Sequence, residues 1–531
     1  MIAQLLTLMK CYGIRHVVVC PGSRNALIVH AFASRPDCFC VHSVTDERSA
    51  GFVAIGMADA LQQSVAVCVT SGSAVLNVAP AVSEAYYRRV PLLVISADRP
   101  AQWIGQMDGQ TLPQHGCFGT LARSYQLPND GSDANWWRNR LINEALNALR
   151  CCRPVHINVP LAEPLFNFPS SDSYINDAER VVKFQRNDYV LLTEEAKNEW
   201  VNARRRMIVV GQHYPSERLN TLLRAIKQSR LAVVMAETLS NLQYASVSNC
   251  YATYTTDDIP DFVLYLGGHI IMKQLKKYLR TYCVANIWRV ENSDETTFID
   301  TFQHTTRVLY TNDDCSIVSQ LLDLQSKESE SHFVDNWTRQ VPQEIETEVQ
   351  NVDAEYVAKY ALKQLANRAE HSAVVLANSS TVRYAQSVCA DYVSKCTVLC
   401  NRGVNGIEGS LSAAVGYAML KKDELVLCII GDLSFFYDHN ALWNNHLPSN
   451  LRVLLLNDGG GKIFSHLPGL EQSPYRDSLI SAQHNYQSEG WANDCNIKYY
   501  KSDSDAHKCK QAVDLLLNGN SDRPVLLEVV L

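Results

Sequence analysis

The chain has 531 residues, 47% apolar and 19% charged, with a formal net charge of -7. That length exceeds what one hydrophobic core serves, so two to four domains are expected, with three as the working number. The composition excludes a disordered chain, and the acidic balance offers no chain-wide attraction to nucleic acid or anionic lipid, so neither is expected as a partner.

Met1 to Lys10 carries no basic region followed by a cleavable apolar stretch, and no run of about eighteen apolar residues occurs anywhere. A cytoplasmic protein without membrane insertion is expected. His16–Cys20, Val65–Thr70, Leu92–Ser96 and Val155–Val159 are short, continuous apolar runs that read as buried strands, and the stretches between them, such as Ser49–Leu61, read as helices. A polar segment over Asn167–Asn187 reads as a linker. Met207–Gly211, Leu231–Met235, Phe262–Leu266 and Ile287–Glu291 form a second strand series. The polar stretch Gln325–Glu348 then precedes an amphipathic helix at Ala354–Ala369 and strands at Val374–Ala377, Thr397–Cys400, Leu425–Ile430 and Leu451–Leu456. The fold class is α/β: three doubly wound parallel-sheet domains over 1–166, 188–326 and 350–531.

Many of the 17 cysteines, including Cys20, Cys68, Cys400 and Cys428, lie inside these apolar runs, where a reduced thiol behaves as a small hydrophobe. Cys38/Cys40 and Cys151/Cys152 lack a matching second pair at metal-ligand spacing, so no zinc site is expected. The first and third domains close alike, with Arg153-Pro154-Val155-His156-Ile157-Asn158-Val159 against Arg523-Pro524-Val525-Leu526-Leu527-Glu528-Val529. Val65 to Gly72 similarly matches Leu425 to Asp432. The two matches hint at an internal duplication.

Gly431-Asp432-Leu433-Ser434 follows one strand, and Asn457-Asp458-Gly459-Gly460-Gly461 ends another about 26 positions later. The carboxyl ends of parallel strands are where such sheets bind ligands, and glycines let backbone approach a phosphate or metal. Asp432, Asp458 and a carbonyl form a hard oxygen set suited to magnesium bridging to a diphosphate. Either turn alone would read as an ordinary polar loop.

Together the two turns resemble the signature of thiamine-diphosphate enzymes. Cys20-Pro21-Gly22-Ser23-Arg24, Asp46-Glu47-Arg48, Thr70-Ser71-Gly72-Ser73-Ala74, Ala97-Asp98-Arg99-Pro100, Asn401-Arg402-Gly403 with Gly406-Ile407, and Gly431 to Ser434 occur in order over nearly the whole length. On these the chain resembles one menaquinone-pathway family of that superfamily, the 2-succinyl-5-enolpyruvyl-6-hydroxy-3-cyclohexene-1-carboxylate (SEPHCHC) synthases.

The resemblance implies a transferase that uses thiamine diphosphate and Mg2+, with Mn2+ as the alternative ion. It decarboxylates 2-oxoglutarate and adds the resulting carbanion 1,4 to isochorismate. Glu47 matches the catalytic glutamate on the aminopyrimidine ring, where a carboxyl partner promotes the imino tautomer that removes the thiazolium proton. Without the resemblance, Glu47 would simply complement a helix dipole. Ile407 matches the aliphatic residue that wedges the cofactor into a bent shape. Ser23, Gly431, Leu433, Ser434 and Ile463 are the further cofactor-binding positions. Asp432, Asp458 and the Gly460 carbonyl form the metal set, with Asn457 as the alternative ligand. Arg24, Arg99, Gln110, Lys273, Ser379, Arg383, Arg402 and Phe464 fall on substrate positions, and arginine suits planar carboxylates through its two-pronged donation.

Two departures bear on isochorismate. Gly109-Gln110 stands where the family often has Asn-Gln, and Lys273-Gln274 stands where it usually has Lys-Arg. Glu47 and Asp432 would grip opposite ends of one cofactor from different chains, so a homodimer is the smallest active form implied, with a tetramer common among relatives. Three rivals remain: an acetolactate-synthase-like or simple 2-oxoacid decarboxylase, which would need fewer cations; a catalytically inactive binding module; and a nicotinamide oxidoreductase, which lacks its glycine loop here.

Overall fold

In the computed structural model, residues 1–175, 179–184, 189–242, 256–282, 284–292, 298–338, 349–386 and 395–531 are described. The expected domain start at 188, parts of the linker over Asn167–Asn187, and the end of the polar stretch Gln325–Glu348 lie outside them.

The apolar runs form three parallel sheets. The first contains β1 (His16–Val19), β2 (Cys40–Ser43), β3 (Val65–Val69), β4 (Leu92–Asp98), β5 (Arg123–Gln126) and β6 (Val155–Pro160), in the order β2-β1-β3-β4-β6-β5. The second contains β7 (Arg206–Val210), β8 (Val233–Ala236), β9 (Phe262–Leu266), β10 (Asn286–Glu291) and β11 (Arg307–Tyr310), in the order β11-β10-β9-β7-β8. The third contains β12 (Ser372–Leu376), β13 (Cys396–Cys400), β14 (Leu425–Gly431), β15 (Leu451–Asn457), β16 (Lys498–Ser502) and β17 (Val525–Val530), in the order β13-β12-β14-β15-β17-β16. The strands of the three sheets pair in parallel, and the intervening helices make this an α/β fold.

The second sheet shows why its strands read as unbroken apolar runs. Ile208, Val210, Leu264, Leu266 and Trp288 pack in one core, while Met207, Val209, Val263, Tyr265 and Ile287 pack in another on the opposite face. With a side-chain period of two, a strand covered on both faces needs apolar residues at every position.

The first and third sheets have the same strand order. The two sequence matches fall on corresponding strands, β3 with β14 and β6 with β17, which supports the internal duplication. Cys20, Cys68, Cys400 and Cys428 are buried free thiols, and burial pushes Cys68 and Cys400 up to about 12. No described helix is long and apolar enough to cross a membrane.

The chain divides into two compact units: Met1–Gln185 with Val375–Ser380 and Cys400–Leu531, and Arg186–Val374 with Thr381–Leu399. Inside the first, the helices Glu47–Leu61 and Ser410–Leu420 pack tightly. A Cβ on Gly56 would come 2.0 Å from the Ala413 carbonyl oxygen, and one on Gly416 would come 2.0 Å from that of Val53. Inside the second, the buried Glu237 carboxylate accepts the Ile271 and Met272 amides at 2.6 Å each, which fixes the start of the helix Lys273–Thr281.

Candidate active site

Parallel pairing of β14 with β15 sets Gly431 opposite Leu456. Asp432 therefore leaves its strand level with Asn457, one residue before Asp458. The strand β14 passes directly into the helix Asp432–Asp438, so Asp432, Leu433 and Ser434 occupy a helix start, where free amides and the helix dipole favour anions. Asp432 is almost fully buried: Oδ1 accepts from the Leu433 amide at 2.6 Å and Oδ2 from the Gly460 amide at 2.8 Å. His484 Nε2 stands 3.3 Å from the same Oδ2, its ring packed edge-on by Phe436 and stacked on Tyr486.

The glycine run bends sharply, with φ of +75° at Gly459 and +146° at Gly460. A side chain on Gly460 would meet the Ser481 carbonyl at 3.0 Å and the Gln483 Cα at 3.1 Å. Ile463 and Phe464 follow in a short turn over Lys462–His466, and a Cβ on Gly461 would lie 2.7 Å from the Phe464 ring.

Of the two alternative metal ligands, Asn457 is already engaged. Its Nδ2 donates to Glu528 Oε1 at 2.6 Å and to the Tyr486 carbonyl at 2.9 Å, and its Oδ1 accepts from the Gly459 amide at 3.3 Å. Asp458 is instead pushed up to about 6, first by burial and then by the charge of Asp432. Burial likewise raises Asp432. Two partly desolvated carboxylates that repel each other beside a helix start fit a divalent cation bound to a diphosphate.

The Asp46-Glu47-Arg48 motif starts a helix. Asp46 Oδ1 caps it by accepting the Ser49 amide at 3.0 Å, and Asp46 Oδ2 accepts from Asn440 Nδ2 at 2.7 Å. Arg48 lies over the Tyr437 ring at 4.3 Å and donates to the Tyr437 carbonyl. Between these anchors, Glu47 is half-buried and accepts from Asn77 Nδ2 at 3.2 Å.

The loops after β1 and β3 meet at the point where the sheet order reverses. Ser23 is exposed and Arg24 buried, its Nη1 donating to the Leu161 carbonyl at 3.1 Å and its Nη2 pairing with Glu163 at 3.1 Å. Asn25 Oδ1, Thr70 Oγ1 and Ser71 Oγ are buried with no hydrogen-bond partner among the described residues. Buried Gln114 ties this edge together: it accepts the Gly72 amide at 2.8 Å and donates to the Ala97 carbonyl at 3.1 Å and to Asn158 Oδ1 at 2.8 Å. Gln110 backs onto Gly72, whose Cβ would lie 3.1 Å from the Gln110 Cα. Arg99 pairs with Asp108 at 2.9 Å and donates to the Gly109 carbonyl at 3.0 Å, so it holds the Gln110 loop.

Arg402 is buried with Nη1 on Asn378 Oδ1 at 3.1 Å, and its Nε has no partner among the described residues. Ile407 is 40% exposed. Ser379 holds a φ of +71° just after β12. Lys273 and Arg383 belong to the second unit, at the first position of Lys273–Thr281 and on the helix Thr381–Gln386. Sequence reasoning missed Asn25, Glu84, Gln114, Asn378 and His484. Thr70 and Ser71 stood in a quoted motif without a role.

Comparison with known proteins agrees with this geometry. The family model "Thiamine pyrophosphate enzyme, N-terminal TPP binding domain" matches residues 2–118, and "Thiamine pyrophosphate enzyme, C-terminal TPP binding domain" matches residues 381–529. The chain is 41% identical to the 2-succinyl-5-enolpyruvyl-6-hydroxy-3-cyclohexene-1-carboxylate synthase of Bacteroides fragilis, over 99% of this chain and 95% of that one. It is 39% identical to the synthase of Phocaeicola vulgatus over the same shares, and 38% identical to that of Desulfotalea psychrophila over 90% and 88%. The chain belongs to the SEPHCHC synthase family. Like its family it is a thiamine-diphosphate-dependent enzyme of the transferase type, a synthase of menaquinone biosynthesis. The Asp432 helix start lies within the part matched as the C-terminal cofactor domain, and Glu47 within the part matched as the N-terminal one.

Proposed function

We propose that the enzyme decarboxylates 2-oxoglutarate and adds the remaining four-carbon unit 1,4 to isochorismate, giving SEPHCHC and carbon dioxide. The observation that carries this is the pair of mutually repelling carboxylates, Asp432 and Asp458, beside a helix start and a glycine run. These would bind Mg2+, or Mn2+ in its place, with the Gly460 carbonyl completing the protein ligands. The Leu433 and Ser434 amides and the Ser434 hydroxyl would hold the diphosphate. Bound thiamine diphosphate supplies the electron sink for the bond that breaks as carbon dioxide leaves.

Glu47 holds a proton at the aminopyrimidine ring, kept in orientation by Asn77. Arg402 keeps a buried donor without a partner among the described residues, which suits a substrate carboxylate. Arg24, Gln110, Ser379, Arg383, Lys273 and Phe464 complete substrate recognition, with Arg99 acting through the Gln110 loop. Ser23, Gly431, Ile407 and Ile463 line the cofactor. The domains are 1–166 for the pyrimidine end, 188–326 in the centre and 350–531 for the diphosphate end. The working form is a cytoplasmic homodimer or tetramer.

The test is direct. Purified protein is mixed with thiamine diphosphate, magnesium and 2-oxoglutarate, with and without isochorismate, and isochorismate loss is followed by absorbance. Consumption that requires all components is expected; none at all refutes the proposal.

A further inference from the structure

The loop from Asn401 to Gly409 carries Arg402 and Ile407, and its backbone is gripped from two sides within the first unit. On one side Asn378 Nδ2 donates to the carbonyls of Asn401 and Gly406, while its Oδ1 accepts from Arg402. On the other side stands Glu84, on the helix Ala79–Arg88, 319 residues away in sequence. Its Oε1 accepts the Gly403 amide at 2.8 Å and its Oε2 the Val404 amide at 2.9 Å.

The approach is close. A Cβ on Gly403 would lie 2.7 Å from the Glu84 carbonyl oxygen and 2.9 Å from its carboxylate. Glu84 is 1% exposed, and its charge is faced by Arg88 Nε at 3.8 Å. Arg88 also pairs with Asp59 at 2.9 Å and donates to Asn401 Oδ1 at 3.2 Å. Two buried carboxylates thus share one guanidinium, and two backbone amides stabilise the remaining charge. Burying such an anion is unfavourable unless each oxygen is satisfied. An apolar side chain would fill this helix face without that penalty, but only the carboxylate fixes two successive amides and hence the direction in which Arg402 leaves the loop.

We propose that Glu84 is a positioning residue for substrate binding: its carboxylate sets the Gly403–Val404 backbone so that Arg402 meets the 2-oxoglutarate carboxylate. This rests on the role given to Arg402 above. A glutamine at position 84 keeps the shape but turns one amide donor against another.

The experiment is a double-mutant cycle with Glu84→Gln and Arg402→Ala in the full-length enzyme, read as KM for 2-oxoglutarate and as kcat, together with amide hydrogen exchange of the coenzyme-free protein. Glu84→Gln is expected to raise KM at least about tenfold with kcat within about threefold, and the double variant to match Arg402→Ala alone, since coupled residues are not additive. Exchange should quicken at the 403 and 404 amides and stay unchanged in β14. Multiplicative KM effects, or unaltered exchange at 403 and 404, would overturn the proposal. If Glu84→Gln does not fold, Glu84→Asp carries the same readouts, because it keeps the charge but shortens the reach. A wild-type enzyme that consumes no isochorismate would refute the reaction instead, and the exchange arm would still decide the grip on the loop.

Discussion

Gly56→Ala tests the helix contact that couples the two cofactor-binding ends of the first unit. Alanine in a helix interior ordinarily stabilises relative to glycine by about 0.5–1 kcal/mol. Here the added Cβ would lie 2.0 Å from the Ala413 carbonyl oxygen and 2.9 Å from its Cα, so it meets backbone, which cannot rotate away. An ordinary carbon–oxygen contact is about 3.3 Å, so the helices must separate by roughly 1.3 Å. Overpacking of this kind costs about 1–3 kcal/mol, which outweighs the propensity gain. The same displacement reaches Glu47, nine residues earlier on that helix, and Ile407, just before the other. A misplacement of about 1 Å can lower turnover by about a hundredfold. The assay is the urea midpoint together with kcat/KM, beside Gly490→Ala as control, because a Cβ there meets nothing within 4 Å. A Gly56→Ala protein as stable and active as the control would refute the close packing.

Other substitutions probe single groups. Glu47→Gln should abolish isochorismate consumption while leaving the urea midpoint unchanged; a rate near wild type would remove its proton-holding role. Arg402→Lys should raise KM for 2-oxoglutarate by about tenfold, because one ammonium cannot replace the guanidinium fork, and an unchanged KM counts against carboxylate binding there. Asp438, fully buried and accepting from the Ser412 hydroxyl and amide at 2.7 and 2.8 Å, is pushed up to about 6 by burial. A carboxyl raised on folding contributes stability that is complete below its unfolded value near 4 and is lost as pH rises through about 6. Relative to Asp438→Asn, which does not titrate, the wild type should therefore lose up to about 3 kcal/mol between pH 4 and 6.5 and then level off. A difference that stays flat with pH refutes the shift.

The strands inside the sheets were legible because burial on both faces demands unbroken apolar runs. Phe262–Leu266 was read to the residue, and β1, β3, β4, β6, β14 and β15 to within two. Four strands escaped: β2, β5, β11 and β16. Each is an edge strand with at most one fully buried residue, so each lacks the run that signals burial. The site divides similarly. Glycines and acids at strand ends could be read locally, and so could the cap at Asp46. Glu84, Gln114 and Asn378 could not, because their partners lie 319, 42 and 23 residues away and no local pattern marks them.

Correspondence between the first and third sheets also separates scaffold from metal ligand. β4 and β15 each have seven residues and occupy the same place in their sheets, so Asp98 corresponds to Asn457 and Arg99 to Asp458. β6 and β17 match likewise, setting Asn158 against Glu528. In the first sheet Asn158 Nδ2 donates to Asp98 at 2.7 Å; in the third, Asn457 Nδ2 donates to Glu528 at 2.6 Å. The same amide–carboxylate bond thus closes both sheets with its partners exchanged. A bond repeated where the first sheet has Ser71 and Arg99 in place of Asp432 and Asp458 belongs to the architecture and not to cation binding. Asn457 is therefore the structural member and Asp458 the proposed ligand. The doubly exchanged protein, Asn457→Asp with Glu528→Gln, should fold and retain Mg2+-dependent coenzyme uptake by calorimetry within about tenfold, whereas Asp458→Ala, which removes the ligand oxygen, should lose that uptake with its urea midpoint preserved. Uptake that survives Asp458→Ala and disappears in the exchanged protein would reverse the assignment.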